Sequence, residues 1–285
     1  MHMVRPTAER GLPDSPADGA LWDHDYVVGC PSPLEPTSRS GARLSLWSAP
    51  LDISASALRG LAACLSSEER QRADRFHRPL DRGRFLAARG WLRHLLASQL
   101  RCAPGDIPIV TGDRGKPRLA CSDLSFNAAR TASIALYATS WRMDVGIDIE
   151  AIRATTDIDG IAARFMSPAE QRALASLPLA QRLAAFFQCW TRKEAYVKGI
   201  GTGLSVPLRD VDVWDGGRRP ATVSGWSVHQ VDVAPGFAAA VAGAGLGDWV
   251  PQVPRRLDAS SLDHSCRPPP GCSPAALVAP GGVMM

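Results

Sequence analysis

The feature that most constrains the fold is an internal echo. Ser66-Ser67-Glu68-Glu69-Arg70 resembles Ser167-Pro168-Ala169-Glu170-Gln171-Arg172, and each is followed by a helical pattern carrying a tryptophan. Trp91 lies 25 residues after Ser66, and Trp190 lies 23 after Ser167. In the first copy the serines are good helix caps, because a short side-chain oxygen accepts from an unpaired amide of the first turn. The second copy is a full S-x-x-E capping box with proline at the first helical position. A unit that recurs at this spacing points to two similar α+β halves packed together.

The rest of the pattern agrees. Arg43 to Trp47 alternates like a strand, as do Ile134–Ala138 and Val145–Glu150. Arg84 to Leu100 places apolar residues three and four apart, the mark of an amphipathic helix. A long helix is expected from Leu179 to Lys198, stopped by Gly199-Ile200-Gly201-Thr202-Gly203. Val223–Val233 and Phe237–Val241 read as the last strands. Residues 1–42 are rich in Pro, Gly, Ser and Asp, and the tail from Trp249 is richer still in Pro and Gly. Such segments bury too little apolar surface to offset their ordering entropy. The expected division is a poorly ordered extension over 1–42, one α+β half over 43–143, a second over 144–248, and a Pro/Gly-rich tail over 249–285.

Composition removes several classes. At 45 % apolar residues the chain supports a real core, and no window approaches 18 uninterrupted apolar residues. The opening MHMVRPTAERGLPDSP lacks the apolar stretch of a signal peptide, so a cytoplasmic, non-membrane protein is expected. Seven cysteines without a CxxC pair read as free thiols, and six histidines form no HExxH. A net charge of +4 is too mild for a dedicated nucleic-acid binder but suits an anionic small molecule or an acidic protein partner.

Chemistry concentrates in two segments. On the strand Val145–Glu150, Val145, Ile147 and Ile149 share one face, while Asp148 and Glu150 share the other with Gly146, which clears space there. The two carboxylates lie about 7 Å apart along the backbone. They read either as oxygen ligands for Mg²⁺ or as two solvated acids. On the helix, Trp190, Glu194 and Lys198 form a row, each one turn from the next, with Lys193 flanking it by about 100°. Glu194 reads as a metal carboxylate or general base and Lys198 as a phosphate clamp or proton donor. The plainer alternative is an exposed salt bridge, though a tryptophan in the same row argues against it. The glycine-rich stop is neither a Walker A loop nor a dinucleotide G-x-G-x-x-G.

Taken together, V-G-I-D-I-E at 145–150 and W-T-R-K-E-A-Y-V-K-G-I-G-T-G-L at 190–204 resemble the two signature motifs of the Sfp-type 4′-phosphopantetheinyl transferases. Further similarities run over about residues 43–247: R-x-R-F-L-A-A-R at Arg82–Arg89, Gly115-Lys116-Pro117, Phe126-Asn127, Arg164-Phe165-Met166-Ser167-Pro168, and the closing V-x-P-G-F-A-A-A-V. The resemblance implies two α+β halves related by pseudo-twofold symmetry, with coenzyme A in the cleft between them. It implies an enzyme that moves phosphopantetheine from coenzyme A to a serine of an apo acyl or peptidyl carrier protein, releasing 3′,5′-ADP. Asp148, Glu150 and Glu194 would ligate Mg²⁺, with Asp148, Glu194 and Lys198 as the catalytic set. Glu194 would serve as base and Lys198 would meet the leaving group. Lys193 would hold pyrophosphate, and Lys116 the adenosine end. Arg72 and Arg84 would surround the same nucleotide, and Arg164-Phe165 would meet the carrier. Carriers of fatty acid, polyketide or nonribosomal peptide synthesis are all compatible, and a monomer is expected.

One departure stands out. The family pattern F-N-x-S-H-S is here Phe126-Asn127-Ala128-Ala129-Arg130-Thr131, so Ala129 and Arg130 replace the residues that meet the 3′-phosphate. Arginine is a competent phosphate ligand, and the expectation is that Arg130, with the Thr131 hydroxyl beside it, takes over that contact. Two alternatives stay open on these residues: an Mg²⁺-dependent pyrophosphate hydrolase, and a non-catalytic protein that binds coenzyme A or a carrier.

Overall fold

The computed structural model describes residues 44–258 apart from 113, 121, 204, 205, 247 and 248. The expected extension over 1–42, the strand residue Arg43, Leu204 of the second motif, and the tail beyond 258 lie outside the described residues. So do Cys30, Cys121, Cys266 and Cys272.

A similar succession of elements occurs twice, with one strand more in the first half. The first half runs β1 (Leu44–Pro50), α1 (Ala55–Ala63), α2 (Ser67–Ala73), α3 (Pro79–Leu100), a 3-10 turn (Pro104–Asp106), the short hairpin β2 (Ile109–Thr111) and β3 (Pro117–Leu119), then β4 (Leu124–Thr131) and β5 (Ile134–Trp141). The second runs β6 (Val145–Ala151), α4 (Ile158–Phe165), α5 (Pro168–Ser176), α6 (Leu179–Ile200), a 3-10 turn (Leu208–Asp210), β7 (Ala221–Val223), β8 (Trp226–Val231) and β9 (Phe237–Ala244). The sheets repeat as well. In one, β5 lies between β1 and β4; in the other, β9 lies between β6 and β8, with all these pairings antiparallel. The chain is therefore α+β with two similar halves.

Local sequence explains the helix starts. Both expected serines cap their helices. Ser66 and Glu69 exchange side-chain and backbone bonds at the head of α2, and Ser167 and Glu170 do the same at the head of α5. The helix expected from Arg84 starts five residues earlier, because Pro79 supplies a preset first turn. The helix expected to end at Lys198 continues through Gly199 and Ile200 and closes on Gly201, whose φ of 68° suits glycine. The tail also departs from expectation at its start: β10 (Arg255–Arg256) pairs in parallel with β1, and Leu257 is buried with its amide donating to the Ser48 carbonyl. The Pro/Gly-rich composition of that stretch hides a short apolar anchor. Among the described residues no helix is long and apolar enough to cross a membrane.

Packing gives four layers. Helix α3 covers one face of the first sheet through Trp91, Leu92, Leu96, Trp47 and Tyr137. Helix α6 covers one face of the second through Phe186, Val197, Val228 and Ala240. The remaining faces meet in a shared core that includes Leu46, Leu136 and Ala138 from the first half with Val145, Ile147 and Ile149 from the second. Strands β4 and β6 are the facing edges of the two sheets. An unpaired edge leaves backbone amides without partners. Here the Ile147 amide donates to Asn127 Oδ1 at 3.0 Å and the Ala151 amide to Thr131 Oγ1 at 3.4 Å.

Helix α6 approaches β6 so closely that a Cβ on Gly146 would overlap the Ala195 carbonyl oxygen and the Gly199 amide. Both are backbone atoms that cannot rotate away. Gly146→Ala is expected to cost at least about 1–3 kcal/mol in urea unfolding. Gly60→Ala is the control: that position in α1 has open space around it, and the substitution should be neutral or stabilise by about 0.5–1 kcal/mol.

Candidate functional site

The strand alternation puts Asp148 and Glu150 of β6 beneath α6, since Val145, Ile147 and Ile149 occupy the shared core. Above them stands the row Trp190, Glu194 and Lys198. Trp190 is wedged between Phe165, edge-on at 5.5 Å, and Phe186, stacked at 6.4 Å, so its end of the row is anchored in the apolar core. Lys198 Nζ lies 2.5 Å from Asp148 Oδ1. The second oxygen of that carboxylate, Oδ2, is buried with no hydrogen-bond partner.

The charges are not balanced by that one contact. The Glu150 carboxyl is pushed up to about 7, chiefly by burial and then by the Asp148 charge, with Glu194 adding to the effect while Lys198 and Arg153 pull the other way. Burial likewise raises Glu194, followed by the Asp148 charge, with partial relief from Lys198. Burial raises Asp148 too, and the Lys198 ammonium offsets only part of the effect. Glu150 and Glu194 thus both sense the Asp148 charge, and Lys198 offsets part of the shift in all three. Among the described residues no group of three or more His, Cys, Asp or Glu side chains is already arranged to hold a metal ion. The chemistry of the set nevertheless fits a hard divalent cation: the donors are all oxygen, one buried oxygen lacks a partner, and mutual repulsion would fall once positive charge entered.

At the C-terminal end of α6, Lys116 reaches across from the β2–β3 hairpin. Its ammonium donates to the Gly199 carbonyl at 2.5 Å and stands 3.7 Å from Asp144. Its alkyl chain lies against Gly201. Burial lowers its proton affinity, and Asp144 works against that. A cavity of 460 Å³ opens beside it, lined by Arg114, Arg118, Ser125, Phe126 and Gly201 among others.

A second basic cluster lies near the far end of β4. The Arg130 guanidinium sits 5.9 Å from the ring centres of both Phe76 and Phe85, and Arg72 sits 5.7 Å from that of Phe85. Burial lowers Arg130, Asp81 opposes that, and the like charges of Arg72 and Arg84 add to the lowering. Arg84 is held by Asp52 through two bonds of 2.7 Å. The aromatic platform and the Asp52 anchor escaped the sequence reading. The R-x-R-F spacing at Arg82–Phe85 was the available signal for Phe85, whereas Asp52, 32 residues from Arg84, had none.

Two residues expected as ligands have partners within the protein. Lys193 is fully buried, and its ammonium meets Glu170 Oε2 at 2.7 Å, the Leu208 carbonyl at 2.7 Å and the Val211 carbonyl at 2.5 Å. All three N–H donors are committed to these partners. Thr131, expected at the 3′-phosphate, is buried, and its hydroxyl accepts from the Ala151 amide at the joint between the sheets. In both cases a partner distant in sequence takes the polar group. Arg164 lies over the Phe165 ring at 5.0 Å, and both line a 440 Å³ cavity with Val206, Leu208 and Arg209.

Comparison with known proteins gives a consistent picture. Residues 144–242 match the model of the 4′-phosphopantetheinyl transferase superfamily, and residues 51–142 match that of the 4′-phosphopantetheinyl transferase N-terminal region. The chain is 41 % identical to the 4′-phosphopantetheinyl transferase HetI of Nostoc sp. over 214 residues, covering 73 % of this chain and 90 % of that protein. It is 32 % identical over 154 residues to a 4′-phosphopantetheinyl transferase of Bacillus subtilis, covering 54 % and 67 %. It is 29 % identical over 187 residues to the 4′-phosphopantetheinyl transferase Sfp of the same species, covering 63 % and 82 %.

The raised Glu150 carboxyl has a consequence for stability. Because its folded value, about 7, exceeds the ordinary 4.5, the native state binds more protons than the unfolded chain between those values. Stability of the metal-free protein therefore falls as pH rises from about 4.5 through about 7. With solvent screening of a half-buried group allowed for, the loss is about 1–2 kcal/mol. Urea unfolding at pH 5 and pH 8 measures it, and Glu150→Gln should flatten the dependence. An unchanged slope in that variant would refute the assignment.

Proposed function

The chain belongs to the 4′-phosphopantetheinyl transferase superfamily, and on that footing we propose that it uses Asp148, Glu150, Glu194 and Lys198 to move phosphopantetheine from coenzyme A to a carrier-protein serine. The observation that carries the reading is the ion pair of Lys198 with the buried Asp148, whose second oxygen has no partner, beside Glu150 and Glu194, which both sense the Asp148 charge.

The chemistry follows from charge. The serine oxygen attacks the phosphorus next to pantetheine, and the bond from that phosphorus to the 3′,5′-ADP oxygen breaks. Glu194 takes the serine proton; its raised affinity, caused by burial and by Asp148, suits a base that must hold a proton. Lys198 is paired with Asp148 of the acid trio, and turning from it toward the departing phosphate would neutralise the charge that builds there. Asp148, Glu150 and Glu194 would hold Mg²⁺ with the coenzyme A pyrophosphate. When bound, the ion would supply charge neutralisation of the phosphates. Lys116, beside its cavity, would meet the adenosine end, and Arg130 and Arg72 on their phenylalanine platform would offer two cations to the 3′-phosphate. The groove at Arg164 and Phe165 is the reading's place for the carrier. A cytoplasmic, monomeric enzyme completes it.

The relatives do not favour the two alternatives, a pyrophosphate hydrolase or a non-catalytic binder. Incubation with Mg²⁺, coenzyme A and a panel of apo carriers, followed by intact mass spectrometry, tests the proposal. One carrier or more should gain the mass of a phosphopantetheine arm, and Glu194→Ala should slow that gain by about 10²–10⁴-fold. Coenzyme A cleaved with every carrier unmodified would sink it. For the nucleotide end, Arg130→Ala should raise the KM for coenzyme A about tenfold, the scale of one charged hydrogen bond. It should leave the KM for dephospho-coenzyme A unchanged, since that analogue lacks the 3′-phosphate.

A further inference from the structure

The buried Lys193–Glu170 pair has a counterpart in the first half. Glu170 is the capping-box glutamate at the head of α5. It accepts from the Ser167 amide, the Val213 amide and the Lys193 ammonium, and both side chains of the ion pair are 0 % exposed. Glu69 is the capping-box glutamate at the head of α2. It accepts from the Ser66 amide, from Arg89 and from Arg93 Nε at 2.7 Å. Lys193 bonds the carbonyls of Leu208 and Val211 at the second 3-10 turn; Arg93 bonds those of Pro104, Gly105 and Ile107 at the first. Arg93 follows Glu69 by 24 residues and Lys193 follows Glu170 by 23, each on a 22-residue helix. The first half has no acid–lysine set like that of β6 and α6, yet it keeps the same clamp. The clamp therefore belongs to how a long helix is seated, not to phosphate recognition.

We propose that Lys193 is a positioning residue: through Glu170 it fixes the rotation and axial register of α6, and so aims Glu194 and Lys198 at Asp148 and Glu150. The inference rests on the transferase reading for its kinetic consequence. Successive helical residues differ by about 100°, so a cation locked between α6 and α5 dictates where its neighbour Glu194 points. Helix α6 touches three separate places through this one ammonium: α5, Leu208 and Val211. Releasing it lets the catalytic pair drift, and displacement by about 1 Å lowers turnover by as much as 10²-fold.

The experiment compares Lys193→Met, Glu170→Gln, the double variant and Lys193→Arg with the wild-type protein. Steady-state transfer to a carrier is measured alongside calorimetry of coenzyme A binding. Lys193→Met and Glu170→Gln are expected to lower kcat by about 10–100-fold while KM and Kd for coenzyme A stay within about twofold. The double variant should be no worse than the poorer single one, as coupled partners require. Lys193→Arg should recover most of the rate, because arginine performs this task at position 93. A tenfold weaker Kd for coenzyme A in Lys193→Met, with Glu170→Gln near wild type, would overturn the proposal in favour of direct phosphate contact. If Lys193→Met does not fold, Glu170→Gln and Lys193→Arg carry the same contrast. A wild-type protein that modifies no carrier would fail the transferase reading instead, and the calorimetry would still decide between positioning and phosphate contact.

Discussion

Everything at this site depends on how closely α6 lies on β6. Gly146 has no side chain, so the backbone of α6 around Ala195 and Gly199 rests directly on the strand. That contact brings Lys198, one turn beyond Glu194, within 2.5 Å of Asp148. Strand β6 serves three neighbours at once. It pairs with β9 through the sheet ladder, receives α6 on one face, and offers its free amides to Asn127 and Thr131 of β4. A strand so constrained cannot shift, and the acids it carries are fixed in place by the fold itself.

The same closeness explains the electrostatics. Three carboxylates in a half-buried crevice with one lysine are an unfavourable arrangement for stability, since desolvation and like charge both favour protonation. Natural folds retain such arrangements where a cation or an anionic substrate relieves them. Without ligand, Lys198 leans on Asp148 and provides partial relief. Basic groups lie at two further places, Lys116 at the end of α6 and Arg72 and Arg130 near α2 and α3. A polyanion such as coenzyme A, with its pyrophosphate and 3′-phosphate, suits a surface that carries these cations.

Much of this was legible in the chain. Alternation over Val145–Glu150 gave the two faces of β6, and the three- and four-residue spacing gave α3 and α6, because periodicity is a local property. The serine–glutamate pairs marked both helix starts. What escaped depended on partners far away in sequence. A lysine next to Glu194 looks like a phosphate ligand until Glu170 and the 207–211 segment close around it. Thr131 looked free beside Arg130 until β6 was laid alongside. The internal echo proved structurally deeper than two similar helix caps, since Arg93 and Lys193 occupy equivalent places. Counting on from them, His94 and then Ser98 stand where the second half has Glu194 and Lys198. Only one of the two halves thus carries the acid–lysine row, although both keep the clamp.

The most direct test of this account is a structure determined with coenzyme A and Mg²⁺ bound. The account predicts that Lys198 leaves Asp148 for a phosphate oxygen, that Asp148, Glu150 and Glu194 face the cation, and that Lys193 stays on Glu170. Coenzyme A bound away from β6, or Lys193 turned from Glu170 to the pyrophosphate, would contradict it.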